Sequence, residues 1–162
     1  MEEMIYTILL FIVGLIFLWF TYTVINNVVT IFRCRKRDNS LSFCFNTAGK
    51  VFYAFLTVLY VVIFVGGVYA FVYGLLKDNS LIYRNALNAV AFMTVVYAYN
   101  ISAIVLVGRK YMMVGRMEID YRKLKKVNYS YNNRMSFVYA QKEYNFSTRF
   151  VDLTELRKRI SK

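Results

Sequence analysis

Of the 162 residues, 59% are hydrophobic, and 21 Lys and Arg stand against nine Asp and Glu, a formal net charge of +12. Ordinary soluble domains are roughly 45–50% apolar, and a soluble basic protein spreads its charge, whereas here the oily and basic residues occupy separate blocks. The chain has no His, which removes the commonest general base and transition-metal ligand and argues against an enzyme and a metal centre.

Three charge-free runs follow in chain order: Met4–Phe32, Val51–Leu76 and Asn85–Gly108, of 29, 26 and 24 residues. A helix crossing a hydrocarbon core of ~30 Å needs about 20. The runs predict spans over about 5–30, 51–76 and 86–108. The first opens on acidic MEEM and meets no small-residue cleavage site, so it reads as a retained span rather than a signal peptide.

Charge sets the expected orientation. The segment Arg33–Lys50 carries +4, Lys77–Arg84 carries +1 and the tail from Arg109 carries +9, while Glu2 and Glu3 precede the first span. The positive-inside rule then puts the N-terminus outside and the tail in the cytosol of an inner (plasma) membrane. Cys34 and Cys44 fall in or beside the first basic segment. They read as reduced loop thiols, and two thiols cannot complete a four-ligand zinc site.

Within the second run, Gly66, Ala70 and Gly74 recur every fourth residue, with Gly67 adjacent. Small side chains on one face let helices approach closely in lipid, so this is a candidate packing seam between spans or between subunits of a homo-oligomer. The third run carries Tyr97 and Asn100. Polar groups at depth face protein or water, so they mark interhelical hydrogen bonding or a pore. No span contains an ionisable acid or base, which argues against a proton relay or ion-coupled transporter.

The tail alternates. Tyr111, Met113, Met117 and Ile119 share one parity, as do Val127, Tyr129 and Tyr131, then Met135, Phe137 and Tyr139, then Tyr144, Phe146, Thr148 and Phe150. Period-two alternation predicts half-buried strands. Asn132-Asn133 suits a hairpin turn and Gln141-Lys142-Glu143 the next. Asp152 is a candidate helix cap, with Glu155 at the capping-box position, and Leu153, Leu156 and Ile160 share a helix face.

The expected fold is therefore a transmembrane domain of three helices over 1–108, followed by a small α+β domain over 109–162, an antiparallel meander of about four strands plus a C-terminal helix. The stretch GRMEIDYRKLKKVNYSYNNRMSFVYAQKEYNFSTRFVDLTELRKRI resembles the PH-like tails of small membrane proteins of low-GC Gram-positive bacteria. The tail supplies fewer strands than a full PH barrel, so an open sheet is expected, or one completed by a neighbouring subunit or the membrane surface.

Arg116, Arg122, Lys123, Lys125 and Lys126, with Tyr129, form the candidate ligand or lipid site. Three readings stay open. Anionic lipid attracts juxtamembrane basic residues. A nucleotide or oligonucleotide would use the cations for phosphate and the tyrosines for stacking. Positive-inside topology alone also produces such charge. Glu118 and Asp120 lie on one side of a probable strand and serve to balance neighbouring cations. No cofactor is expected. The chain reads as a membrane-embedded binding or sensor protein that docks on anionic lipid, a partner membrane protein or a phosphate-bearing ligand. The alternatives are a signal-gated effector that permeabilises the bilayer and a protein giving immunity to a membrane-active toxin.

Overall fold

A computed structural model describes residues 2–130 and 133–160, with side chains from Met4 onward. Three helices, α1 (Glu2–Arg37), α2 (Thr47–Leu76) and α3 (Ser80–Ile101), are long and apolar enough to cross a membrane. Each boundary has a local cause. Arg35, Lys36 and Arg37 close α1, where cations favour the carbonyl end. Asn46 Oδ1 accepts from Gly49 N at 2.7 Å to start α2, and Asn79 Oδ1 accepts from Ile82 N at 3.3 Å to start α3.

The chain divides into two compact units. The first comprises Met1–Asn26 and Ala54–Asn100. Its helices expose large apolar side chains such as Phe11, Trp19, Val62, Tyr69 and Phe92. Helices apolar all round, in a unit too thin to bury them, are built for lipid. Internally, the rings of Phe17 and Phe64 join α1 to α2 at 6.3 Å, and the Arg84 guanidinium lies 5.2 Å over the Tyr6 ring to join α3 to α1.

The second unit comprises Asn27–Tyr53 and Ile101–Lys162. Among the described residues it holds seven strands in two antiparallel sheets. One sheet has the order β1 (Ser42–Phe43), β2 (Val105–Val107), β3 (Tyr111–Val114), β4 (Met117–Asp120); the other has β5 (Lys125–Ser130), β6 (Arg134–Tyr139), β7 (Lys142–Ser147). A helix, α4 (Leu153–Ile160), closes the chain. Val105, Val107, Met112, Ile119, Met135, Phe137 and Leu156, from both sheets and α4, form one core with Cys44 and Val151.

The α+β arrangement is the expected one, with differences at its borders. The third helix begins at Ser80 and ends at Ile101, not at 86 and 108. Val105, Leu106 and Val107 are a strand with every residue buried. A strand apolar on both faces reads as a continuous hydrophobic run, indistinguishable by composition from the end of a span. The strands therefore exceed the four expected of the tail. β1 comes from the segment between α1 and α2, and the single-parity run Tyr111–Ile119 is two strands folded at Gly115-Arg116. Gly115 has φ of +60°, and a Cβ there would sit 2.5 Å from the Ser102 carbonyl, so glycine is required.

The second hairpin turns at Ala140 and Gln141, both at positive φ, leaving Lys142 and Glu143 inside β7. Of the first expected turn, Asn133 has φ of +51°, while Tyr131 and Asn132 lie outside the described residues. Asp152 caps α4, its Oδ1 accepting from Thr154 N at 3.0 Å and Glu155 N at 3.2 Å. The reciprocal half of the capping box is taken by tertiary structure: Asp152 N donates to Cys44 O at 3.2 Å. Cys34 is not on a loop but buried in α1, and Cys44 is buried in the core, its Sγ 3.4 Å from Asp152 O.

Candidate functional site

The helix-packing residues separate. Glycine is needed at 67 and 74, not 66. A Cβ on Gly67 would collide with the Val90 side chain on α3, and one on Gly74 would lie 2.7 Å from Tyr83 N. Gly66 meets nothing within 4 Å. Gly67 and Gly74 thus mark the α2–α3 seam, and Gly66, the first member of the four-residue repeat, faces outward. Tyr97 completes the seam, its ring parallel to that of Tyr60 at 4.2 Å and its hydroxyl 3.4 Å from Thr57 Oγ1. Asn100 Nδ2 donates to Val96 O at 2.8 Å, within its own helix. Both polar residues therefore make intrachain contacts.

The basic candidates are spread over several elements. Arg116 stands on the β3–β4 turn and donates from Nε to Asn27 Oδ1 at 2.7 Å. Arg122 and Lys123 occupy a single 3-10 turn, Tyr121–Lys123, capped by Asp120, whose Oδ1 accepts from Arg122 N at 3.0 Å. Lys125 and Lys126 open β5, where Lys126 takes φ of +50° and the pairing register shifts before Asn128. Tyr129 packs half-buried against the core under Arg157, whose guanidinium lies 4.6 Å from its ring centre. Burial raises the Tyr129 phenol above its ordinary pKa, and Arg157 opposes that rise.

A different set of cations converges on a concave surface of about 310 Å³ lined by Arg109, Lys110, Arg122 and Arg159, with Tyr111, Tyr121 and Asp120. A second hollow, of about 550 Å³, shares Arg109, Lys110 and Tyr111 and extends to Arg37, Asp38 and Ser40. Arg109 and Lys110 form the two-residue turn between β2 and β3, closed by Gly108 N donating to Tyr111 O at 2.9 Å. That turn is held from both sides. Arg109 N donates to Ser40 Oγ at 2.9 Å, Tyr121 N donates to Lys110 O at 3.2 Å, and Tyr121 OH donates to Gly108 O at 3.3 Å. Gly108 permits the approach, since a Cβ would stand 2.9 Å from Asp38 Oδ2.

The nearby carboxylates are already occupied. Asp38 Oδ1 accepts from Ser40 Oγ at 2.5 Å and Ser40 N at 2.9 Å. The Ser40 hydroxyl is the main cause holding the Asp38 carboxyl below its ordinary pKa, with Lys110 and Arg109 adding to it. Burial pushes the Tyr121 phenol well above its usual range, and Arg159 counteracts this.

Only Arg122 of this set belonged to the candidate site read from the sequence. Arg109, Lys110 and Arg159 were legible only as positive-inside charge. The signal that locates the first two is Gly-Arg-Lys between an apolar run and alternating residues, a hairpin signature; nothing in sequence brings Arg159 to them.

Phe43 stacks on Phe45 at 5.4 Å and Phe45 on Tyr53 at 4.7 Å, while Phe52 stacks on Phe150 at 4.5 Å. The guanidinium of Arg35 lies 5.7 Å over Phe43 and that of Arg149 lies 5.4 Å over Phe150. No family model, curated protein or solved structure matches this chain.

Proposed function

We propose that the chain is a bacterial plasma-membrane protein with its N-terminus outside and its second unit in the cytosol, where that unit docks on the anionic inner leaflet as a binding or sensor module. The observation that carries this reading is the aromatic belt rimmed by cations. Its rings sit on β1, at the start of α2 and beside the C-terminal helix, with Arg35 and Arg149 over the outer rings. Tyr53 suits the headgroup layer, the phenylalanine rings bury apolar surface at the headgroup–acyl boundary, and each juxtamembrane cation adds about 1 kcal/mol there. The PH-like likeness draws support from two antiparallel sheets of four and three strands with a C-terminal helix over a shared core. Assembly as a homo-oligomer through the outward Gly66 face belongs to the same proposal.

The test is hydrogen–deuterium exchange on the full chain in nanodiscs of phosphatidylcholine with and without phosphatidylglycerol. The expected result is slower exchange around Phe43–Phe45 and Phe150 in the anionic discs. High salt or Arg35→Glu with Arg149→Glu should reverse it, because the attraction is screened and charge-dependent. Equal exchange in both discs overturns docking. Sidedness is read separately. A cysteine introduced as Lys142→Cys should resist a membrane-impermeant maleimide in intact cells and react after lysis; labelling in intact cells overturns the orientation.

A further inference from the structure

We infer that the hollow between the β2–β3 turn, the 3-10 turn and α4 is a binding site for a small phosphate-bearing ligand, the phosphate group being gripped by Arg109, Lys110, Arg122 and Arg159. This rests on reading the second unit as an anion-recognition module, but not on its docking to a membrane.

Three separate stretches of chain deliver these cations, so neither local sequence nor span-flanking position explains why they meet. Among the described residues, four cationic side chains line the hollow against one carboxylate, that of Asp120. Among the described residues, Arg109, Lys110 and Arg122 form no ion pair, and Arg159 has only Glu155 at 3.9 Å. Asp120 is committed to the Arg122 backbone amide. Like charges gathered in a concavity repel one another unless an anion joins them, and the recess concentrates their field on that anion. The backbone beneath Arg109 and Lys110 is fixed by the bonds from Ser40 and Tyr121, so little ordering is left to the moment of binding. Arginine supplies the forked, permanently charged donors that suit phosphate oxygens, and lysine adds a point charge. A volume of about 310 Å³ admits one or two phosphate groups with a modest appendage, not a polymer.

The shared chemistry is a phosphate ester or anhydride, which either a lipid headgroup or a soluble metabolite supplies. The experiment uses the full chain in phosphatidylcholine nanodiscs, titrated with inorganic pyrophosphate by calorimetry at physiological salt. Saturable binding is expected. Lys110→Glu with Arg122→Glu should weaken it at least about tenfold, as expected for losing two charge-assisted contacts. Lys125→Glu with Lys126→Glu, the same charge change outside the hollow, should leave it within about twofold. Absent binding overturns the site, as does equal weakening by the two double variants. Circular dichroism of each variant verifies that the fold survives. With phosphatidylglycerol in the discs, competition against pyrophosphate identifies the headgroup as the ligand, and unchanged affinity identifies a soluble one; both outcomes keep the site. Docking fails independently, in the exchange experiment, which pyrophosphate does not enter.

Discussion

Arg116 and Asn27, 89 positions apart in sequence, are joined by a 2.7 Å hydrogen bond from the guanidinium Nε to the amide oxygen. Asn27 is 1% exposed, on α1, and its Nδ2 finds no hydrogen-bond partner among the described residues. The bond ties the β3–β4 turn to a helix within the second unit, and its donor is charged. Bonds to charged groups contribute about 1.5–3 kcal/mol.

Asn27→Leu should therefore lower the melting temperature of the detergent-solubilised protein, with a loss of about 2 kcal/mol. Asn27→Asp should hold stability nearer to wild type. It keeps an acceptor for Arg116 and replaces the unpartnered amide with a second acceptor. Indistinguishable melting of Asn27→Leu and wild type would show that the bond contributes nothing.

Adjacent glycines on α2 should respond oppositely. Gly67→Leu drives a side chain into Val90 and should cost about 1–3 kcal/mol, the usual range for overpacking. Gly66→Leu enters open space and should leave the chain's melting unchanged. If Gly66 lies at a subunit contact, the same variant reduces cross-linked oligomer without unfolding the protomer. Equal sensitivity at both positions would refute the seam's phase.

Acid should loosen the segment that carries β1. The Asp38 carboxyl is held below its ordinary 3.8 by the Ser40 hydroxyl. A carboxyl with a depressed folded pKa stabilises above its unfolded value and loses that contribution as pH falls through the folded one. Protection of the Ser40 amide, measured against its intrinsic exchange rate, should therefore fall below about pH 4 in wild type. Asp38→Asn should remove that pH dependence, and a persisting acid step in the variant would assign it to another group.

Leu156 is fully buried where α4 meets the core. Leu156→Ala should cost about 2–5 kcal/mol. The neighbouring Thr154→Ala, at an exposed position, should change little. Chemical denaturation followed by tyrosine fluorescence would measure both. A mild effect at Leu156 would mean that α4 is peripheral to the fold.

At the alkaline end, burial raises the Cys44 thiol from 9.0 to about 11. A raised folded pKa favours the native state fully below the unfolded value and loses that advantage as pH climbs through the folded one. In a Cys34→Ala background, alkylation of Cys44 should stay slow at pH 9 and rise toward pH 11. Rapid alkylation at pH 9 would contradict its burial.

The sequence by itself determined the three apolar helices, the α+β character of the tail, the faces of β5, β6 and β7, and the Asp152 cap. Each is written in near-neighbour patterning: uninterrupted apolar length, period-two alternation with Val127 and Tyr129 or Met135 and Phe137 inward, and a carboxylate ahead of an amphipathic turn. Tertiary structure decided the rest. Val105–Val107 is a strand because it is sandwiched on both faces, a condition no composition can express. Phe43 pairs with Leu106, 63 positions away, so β1 has no local signal. Gly67 rather than Gly66 meets α3 because the helix's rotation is set by its neighbour. Arg109, Lys110, Arg122 and Arg159 share one hollow only because β3, β4 and α4 fold over a common core, and charge convergence is a property of that folding rather than of spacing along the chain.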